Sequence, residues 1–166
     1  KVGSSTSVKF PVGLGAKGNE GVTGQIKTTP GALGYVELAY AKQNAMPAAT
    51  LQNKAGKMVD ATLEGITAAA AGFADKLPDD LRVSIVNADG DTSYPIASFS
   101  YLLVYEDNKD AAKAEAIAKF VWWGIHDGQK LGPALHYAPL PQPVVEKAEA
   151  KLKTLKSGDK VLLTGK

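Results

Sequence analysis

No cysteine occurs among the 166 residues. A disulfide framework and every thiolate metal site are therefore excluded, and the redox compartment is left open. Arginine is nearly missing as well: Arg82 is the only one, and 19 Lys and Arg face 17 Asp and Glu, for a net charge of +2. Such a balance makes no broad positive field for nucleic acid or an anionic membrane, so any anion site would have to be local. No apolar run approaches the roughly 20 residues that a membrane span needs. The opening KVGSSTSVKF has no apolar signal core, so the chain reads as mature and soluble, or as a piece of something mature. What is present, 45% hydrophobic residues with 17 glycines and 9 prolines, suits a globular domain able to bury a core.

Strand-like and helix-like patterns alternate along the chain. Val22 and Ile26 predict a short helix opened by Asn19 and stopped by Pro30-Gly31. Gly21 and Gly24 weaken it, so packing must hold it. PGALGYVELAYAKQN, residues 30–44, reads two ways at once. Leu33 to Glu37 is β-branched and aromatic, whereas Leu38 to Asn44 is Ala-rich, which predicts a buried strand passing directly into a helix. Two short strand-like runs flank the turn Ala55-Gly56. Thr62 caps a helix that Gly72 interrupts or stops. Val83 to Val86 predicts a strand, Asp89-Gly90 a turn, and Phe99 to Tyr105 a strand buried on both faces. Asp110 opens the clearest helix, with Ala114, Ile117, Ala118, Val121 and Ile125 at helical spacing. A proline-rich turn then leads to a last amphipathic helix on Val144, Val145, Ala148, Leu152 and Leu155. This alternation argues an α/β fold.

Chemistry-bearing patterns are sparse. His126 and His136 stand ten positions apart without a paired ligand type at i, i+4, so core-edge or solvated histidines are expected and no metal site. No G-x-S-x-G elbow presents a nucleophile, and no nucleophile and base can be paired, so no catalytic residue is assigned and no cofactor is called for. The acid pairs Asp79-Asp80 and Glu106-Asp107 fall at element ends beside Lys or Arg, where capping or a solvated rim explains them. Trp122 and Trp123 project about 100° apart on a helix, which places one ring in the core and leaves the other half-exposed. Gly3 to Ser7 offers clustered hydroxyls and N–H groups, yet Pro11 and Gly13 break the chain before any helix follows. GLGAKGNEG is no P-loop, because its Lys is not followed by Ser or Thr.

The start at Ser5 to Val8 and Pro11 to Val22, followed by PGALGYVELAYAKQN, NADGDTSYPIASFSYLLVYEDNKD and YAPLPQPVVEK, resembles the phosphate-binding proteins of high-affinity phosphate ABC transporters, the PstS family. The resemblance runs along nearly all of the chain but covers only about the C-terminal half of such a protein. It implies part of a two-lobed periplasmic-binding-protein fold of class II, with residues 1–92 the second part of the distal lobe, 93–99 a crossover and 100–166 the return portion of the first lobe. In that family a dehydrated phosphate sits in the cleft, held by backbone N–H groups, hydroxyls, one Arg and one acceptor carboxylate. The carboxylate demands a protonated oxygen and so rejects sulfate, because an unpaired acceptor pair is costly there.

The family's Arg-x-Asp-Gly-Ser-Gly-Thr loop is absent from this sequence, and Arg82 does not stand in it. Ser4, Ser5 and Thr6 are the only phosphate-ligand candidates the resemblance leaves, and Tyr94 and Pro95 become hinge candidates. The implied function is reception of inorganic phosphate for the membrane components of an ABC importer, not an enzyme, at a periplasmic or cell-envelope location. A complementary N-terminal segment or chain is expected as partner, because a parallel sheet lacking its neighbouring strands leaves open edges. The competing reading is a structural or interaction fragment with the scaffold and no complete ligand site.

Overall fold

A computed structural model describes Gly3 and residues 8–163. It divides into two compact units, the first reaching to Pro47 and the second beginning at Ala48.

The first unit is built on two helices, α1 (Gly18–Thr28) and α2 (Leu38–Gln43). Asn19 does not cap α1. Lys17 stands at the N-cap without a side-chain bond, and Asn19 Oδ1 instead accepts from the Glu37 N–H at 3.0 Å, tying the start of α1 to the start of α2. The Tyr40 hydroxyl donates to Glu20 Oε1 at 2.8 Å. With its own backbone N–H at the helix start, that bond holds the Glu20 carboxyl below its ordinary pKa. The predicted strand Leu33 to Glu37 is absent. The segment joins no sheet, and Leu33 is 94% exposed. Within it, Gly34 comes so close to α1 that an added Cβ would lie 2.7 Å from Ile26 Cδ1 and 3.2 Å from Val22 Cγ1. Gly34→Val is therefore expected to destabilise the protein by about 1–2 kcal/mol, since overpacking of this size costs roughly that much. An unchanged urea midpoint would remove this packing from the account.

The second unit begins with a hairpin, β1 (Leu51–Gln52) against β2 (Met58–Val59), with Leu51 opposite Val59. Gly56 turns it at φ +78°, a backbone state that glycine adopts without strain. Helix α3 (Leu63–Ala71) follows. Thr62 caps it by accepting from the Gly65 N–H at 3.1 Å, and it ends at Gly72, as the local pattern predicts. Helix α4 (Ala111–Ile125) is capped by Asp110, which accepts from the Lys113 N–H. Helix α5 is Gln142–Leu152, and a second hairpin pairs β3 (Lys156–Ser157) with β4 (Lys160–Val161).

Three small apolar clusters hold this unit. Ala69, Ala70, Ile85, Ala88 and Ala97 form one, and Ala74, Leu77 and Val144 another, with Val83 and Phe99 packed against both. Ala114 and Ala118 of α4 meet Leu152, Leu155 and Leu162 in the third, which also draws in Trp122. Trp122 is thus the inner ring of the tandem pair, while Trp123 is half-exposed. Alanine dominates these cores, and among the described apolar residues only Ile85 is a large side chain that is fully buried. Each contact therefore removes little area from water, and the apolar stabilisation per residue is small.

Among the described residues the only sheets are these two antiparallel hairpins, so neither Val83 to Val86 nor Phe99 to Tyr105 is a paired strand. Val83 and Ile85 bury one face while Val86 is exposed. Expected to be covered on both faces, the second run instead leaves Leu102 70%, Leu103 95% and Tyr105 81% exposed. Apolar β-propensity states which residues suit a sheet, whereas forming one needs a neighbouring backbone. Among the described residues no backbone-to-backbone hydrogen bond reaches 96–105. Immediately after the run a neighbour does appear: Lys156 N donates to Glu106 O at 2.8 Å and Asn108 N donates to Lys156 O at 3.0 Å, a parallel bridge between Asp107 and Lys156. The Gly158 N–H adds a bond to Asp107 Oδ1, and Lys151 Nζ pairs with Glu106 Oε2.

Candidate functional site

The hinge candidates lie in a strapped loop, residues 87–95. Its turn needs Gly90 at φ +121° and places Asn87 in the left-handed region at φ +54°. Ser93, 1% exposed, donates its hydroxyl to Asp89 O at 2.8 Å. The Asn87 N–H donates to Pro95 O at 2.8 Å, which closes the loop's base.

Two neighbours grip this loop. From the hairpin turn comes Asn53, a buried side chain whose Nδ2 donates to Gly90 O, Asp91 O and Ser93 O at 3.1, 2.9 and 3.3 Å. Its Oδ1 accepts from the Lys57 N–H at 3.0 Å, so both ends of the amide are used, as burial of a polar group requires. From the other side comes α3. Tyr94 N donates to Gly65 O at 3.0 Å, and the approach is close enough that a Cβ on Gly65 would sit 3.2 Å from Thr92 O and one on Gly72 2.8 Å from Asp89 O. The Asp89 carboxylate pairs with Lys54 at 2.6 Å and Lys76 at 3.5 Å. Chiefly through the Lys54 bond, its pKa is held below the ordinary carboxylate range. Partial burial, helped by the charge of Asp60, pushes the Tyr94 hydroxyl the other way, upward.

Beyond this loop the chain enters the uncovered apolar run. Phe99 and Tyr101 meet edge to face at 6.2 Å between centroids. The Tyr101 hydroxyl donates to Val83 O at 3.1 Å and accepts from the Val83 N–H at 3.3 Å. A side chain thus supplies what a paired strand would otherwise give Val83. A shallow cavity of about 270 Å³, lined by Tyr105, Asp107, Asn108 and Lys109, opens at the end of the run.

The ligand candidates Ser4, Ser5 and Thr6 lie outside the described residues. Arg82 is taken by Asp80, which accepts from both its Nε at 2.9 Å and its backbone N–H at 3.0 Å. Among the described residues no group of three or more His, Asp or Glu could hold a metal ion, and no helix is long and apolar enough to cross a membrane. The sequence reasoning missed Asn53. An Asn opening a hairpin turn is an ordinary local signal, but its partners 37 to 40 positions away leave no trace in the local pattern.

Comparison with known proteins gives two findings. Residues 4–127 match the family model described as a PBP superfamily domain. The chain is also 43% identical over 150 residues to the phosphate-binding protein PstS of Xylella fastidiosa strain 9a5c, covering 90% of this chain and 41% of that one. It is 40% identical over 159 residues to the phosphate-binding protein PstS of Pasteurella multocida, covering 95% and 46%. Against the protein of that name from Methanocaldococcus jannaschii the identity is 37% over 165 residues, covering 88% and 42%. The chain therefore spans less than half the length of these relatives.

Proposed function

Starting from a chain that belongs to the PBP superfamily, we propose that it forms part of an inorganic-phosphate receptor serving an ABC importer at the periplasmic face or cell envelope. The observation that carries this reading is the identity to proteins named for phosphate binding, spread over about nine-tenths of the chain. The protein binds and releases its ligand without chemical turnover. Residues 1–92 and 100–166 belong to different lobes, joined by the crossover 93–99, with Tyr94 and Pro95 taking up the hinge motion. The strapping of Tyr94 by α3 and of Ser93 by Asn53 supports that placement, since a hinge works when the chain is fixed firmly on one side of the moving bond.

The cleft is completed by a further segment or chain. In support, Leu102, Leu103 and Tyr105 stand uncovered on a backbone that makes no backbone-to-backbone hydrogen bond among the described residues, a ready template for strand pairing. Ser4, Ser5 and Thr6 remain the candidate hydroxyls on this chain, and the phosphate-holding arginine comes from the complement, since Arg82 is neutralised by Asp80. That neutralised arginine also favours a second reading for the chain by itself, a scaffold with no complete ligand site.

Native mass spectrometry together with calorimetric titration of inorganic phosphate separates the two. A companion polypeptide with phosphate bound and sulfate refused is the expected result. A lone chain that gives no heat with phosphate overturns the receptor reading for it and leaves the scaffold.

A further inference from the structure

At the end of α4, His126 faces two oxygens that can only accept. Its Nδ1 lies 2.6 Å from the carbonyl oxygen of Trp122, one turn back, and its Nε2 lies 2.9 Å from Glu149 Oε1 on α5. A neutral imidazole carries one N–H and can satisfy only one of them, whereas the imidazolium carries two and satisfies both. The surroundings favour that second proton. The ring occupies the C-cap of α4, where the helix dipole attracts positive charge, and it stacks on the indole of Trp122 at 4.5 Å with an interplanar angle of 25°.

We propose that His126 is a proton-operated clasp that fastens the last turn of α4 to α5, closed while the ring carries both protons and opened when it loses one. Among the described residues, the charged groups that meet it belong to α5 or to the turn Asp127–Leu131. From α5, Glu149 is the clasp's other half, and Lys153 both pairs with Glu149 Oε2 at 3.8 Å and lies 5.6 Å over the Trp122 ring. From the turn, Asp127 adds negative charge next to the ring while itself paired with Lys130 at 2.7 Å. The Lys153 charge opposes the imidazolium, but it is spent on Glu149, and the sum lies with the two carboxylates. The Trp122 carbonyl, then Glu149, accordingly hold the His126 pKa above its ordinary value.

The direction of the pH effect follows. A group whose pKa is raised by folding contributes fully below its unfolded value, about 6.5, and the contribution is lost as pH rises through the higher folded value. The clasp is therefore shut in mild acid and released in base. The test uses the intact protein with 15N-labelled histidine, followed by NMR from about pH 5.5 to pH 9, together with hydrogen exchange of the α4 last-turn amides, corrected for the intrinsic effect of pH. Both His126 nitrogens should be protonated at the acid end. The last turn should open more often after deprotonation, because the neutral ring then satisfies only one of its two acceptors.

In Glu149→Gln the amide can donate to an unprotonated Nε2, so opening should become nearly independent of pH. The idea is overturned by a His126 ring that carries a single proton down to its unfolded pKa, by pH-independent opening in the parent protein, or by an unchanged pH dependence in Glu149→Gln. Should Glu149→Gln fail to fold, the ring titration of the parent protein decides alone.

Discussion

Asn53→Asp should lower the unfolding free energy by about 3 kcal/mol at neutral pH, although it changes one atom and no volume. The wild-type amide points its NH2 at the carbonyls of Gly90, Asp91 and Ser93. A carboxylate there turns an oxygen toward the same three oxygens and gives up every donor. Leaving buried polar groups without partners costs about 1–3 kcal/mol, and more for a charged group. The Asn→Asp change also makes the effect depend on pH in a definite sense. The new carboxyl would be driven to stay protonated in the folded state, so its pKa would rise above the unfolded value of about 3.9. Its O–H could then donate, and part of the lost stability should return as the pH falls toward that value. Urea unfolding near pH 7 and near pH 4 reads both parts. Equal midpoints for Asn53→Asp and the parent protein near pH 7 would show that the strap does not hold the 87–95 loop.

Gly72→Ala is expected to destabilise by about 2 kcal/mol, against what its backbone angles suggest. Gly72 lies at φ −63° and ψ −11°, an ordinary right-handed conformation. Replacing glycine by alanine at such a position commonly gains up to about 1 kcal/mol. Here the new Cβ would meet the carbonyl oxygen of Asp89 at 2.8 Å, and backbone cannot swing aside as the end of a side chain can. Overpacking of that kind costs about 1–3 kcal/mol and outweighs the gain. Gly124 inside α4 supplies the control, since a Cβ there meets nothing within 4 Å, and Gly124→Ala should stabilise by roughly 0.5–1 kcal/mol. Thermal or urea unfolding of the two variants side by side gives the comparison, and two shifts of the same sign would overturn the close approach of α3 to the loop.

These two cases mark what was legible in the sequence. Thr62 and Asp110 each bond an N–H three residues on, and interactions of that reach write themselves into local patterns. The amphipathic α4 and α5 and the Ala55-Gly56 turn are legible for the same reason. Asn19 carries the same cap chemistry, yet its oxygen serves Glu37, 18 positions away, because the chain returns to it. The strands expected over Leu33 to Glu37 and Phe99 to Tyr105 have the right residues and lack a paired neighbour, and a ladder is a property of two segments. Of the candidate site, the phosphate reading came from resemblance rather than spacing. The straps on the loop before Pro95 were invisible because Gly65, Gly72 and Asn53 act through backbone oxygens, which every residue type carries.

The bridge between Asp107 and Lys156 sets an order of events during synthesis. The backbone that fixes Glu106 and Asn108 belongs to Lys156, and the further link from Gly158 to Asp107 spans 51 positions. A loop of that size closes only after both ends exist. At about 5–20 residues per second, the apolar run ending at Tyr105 leaves the ribosome several seconds before its anchor does. Until then Glu106 and Asn108 lack the backbone partner that Lys156 supplies, whereas Leu102 and Leu103 are uncovered both before and after the bridge closes.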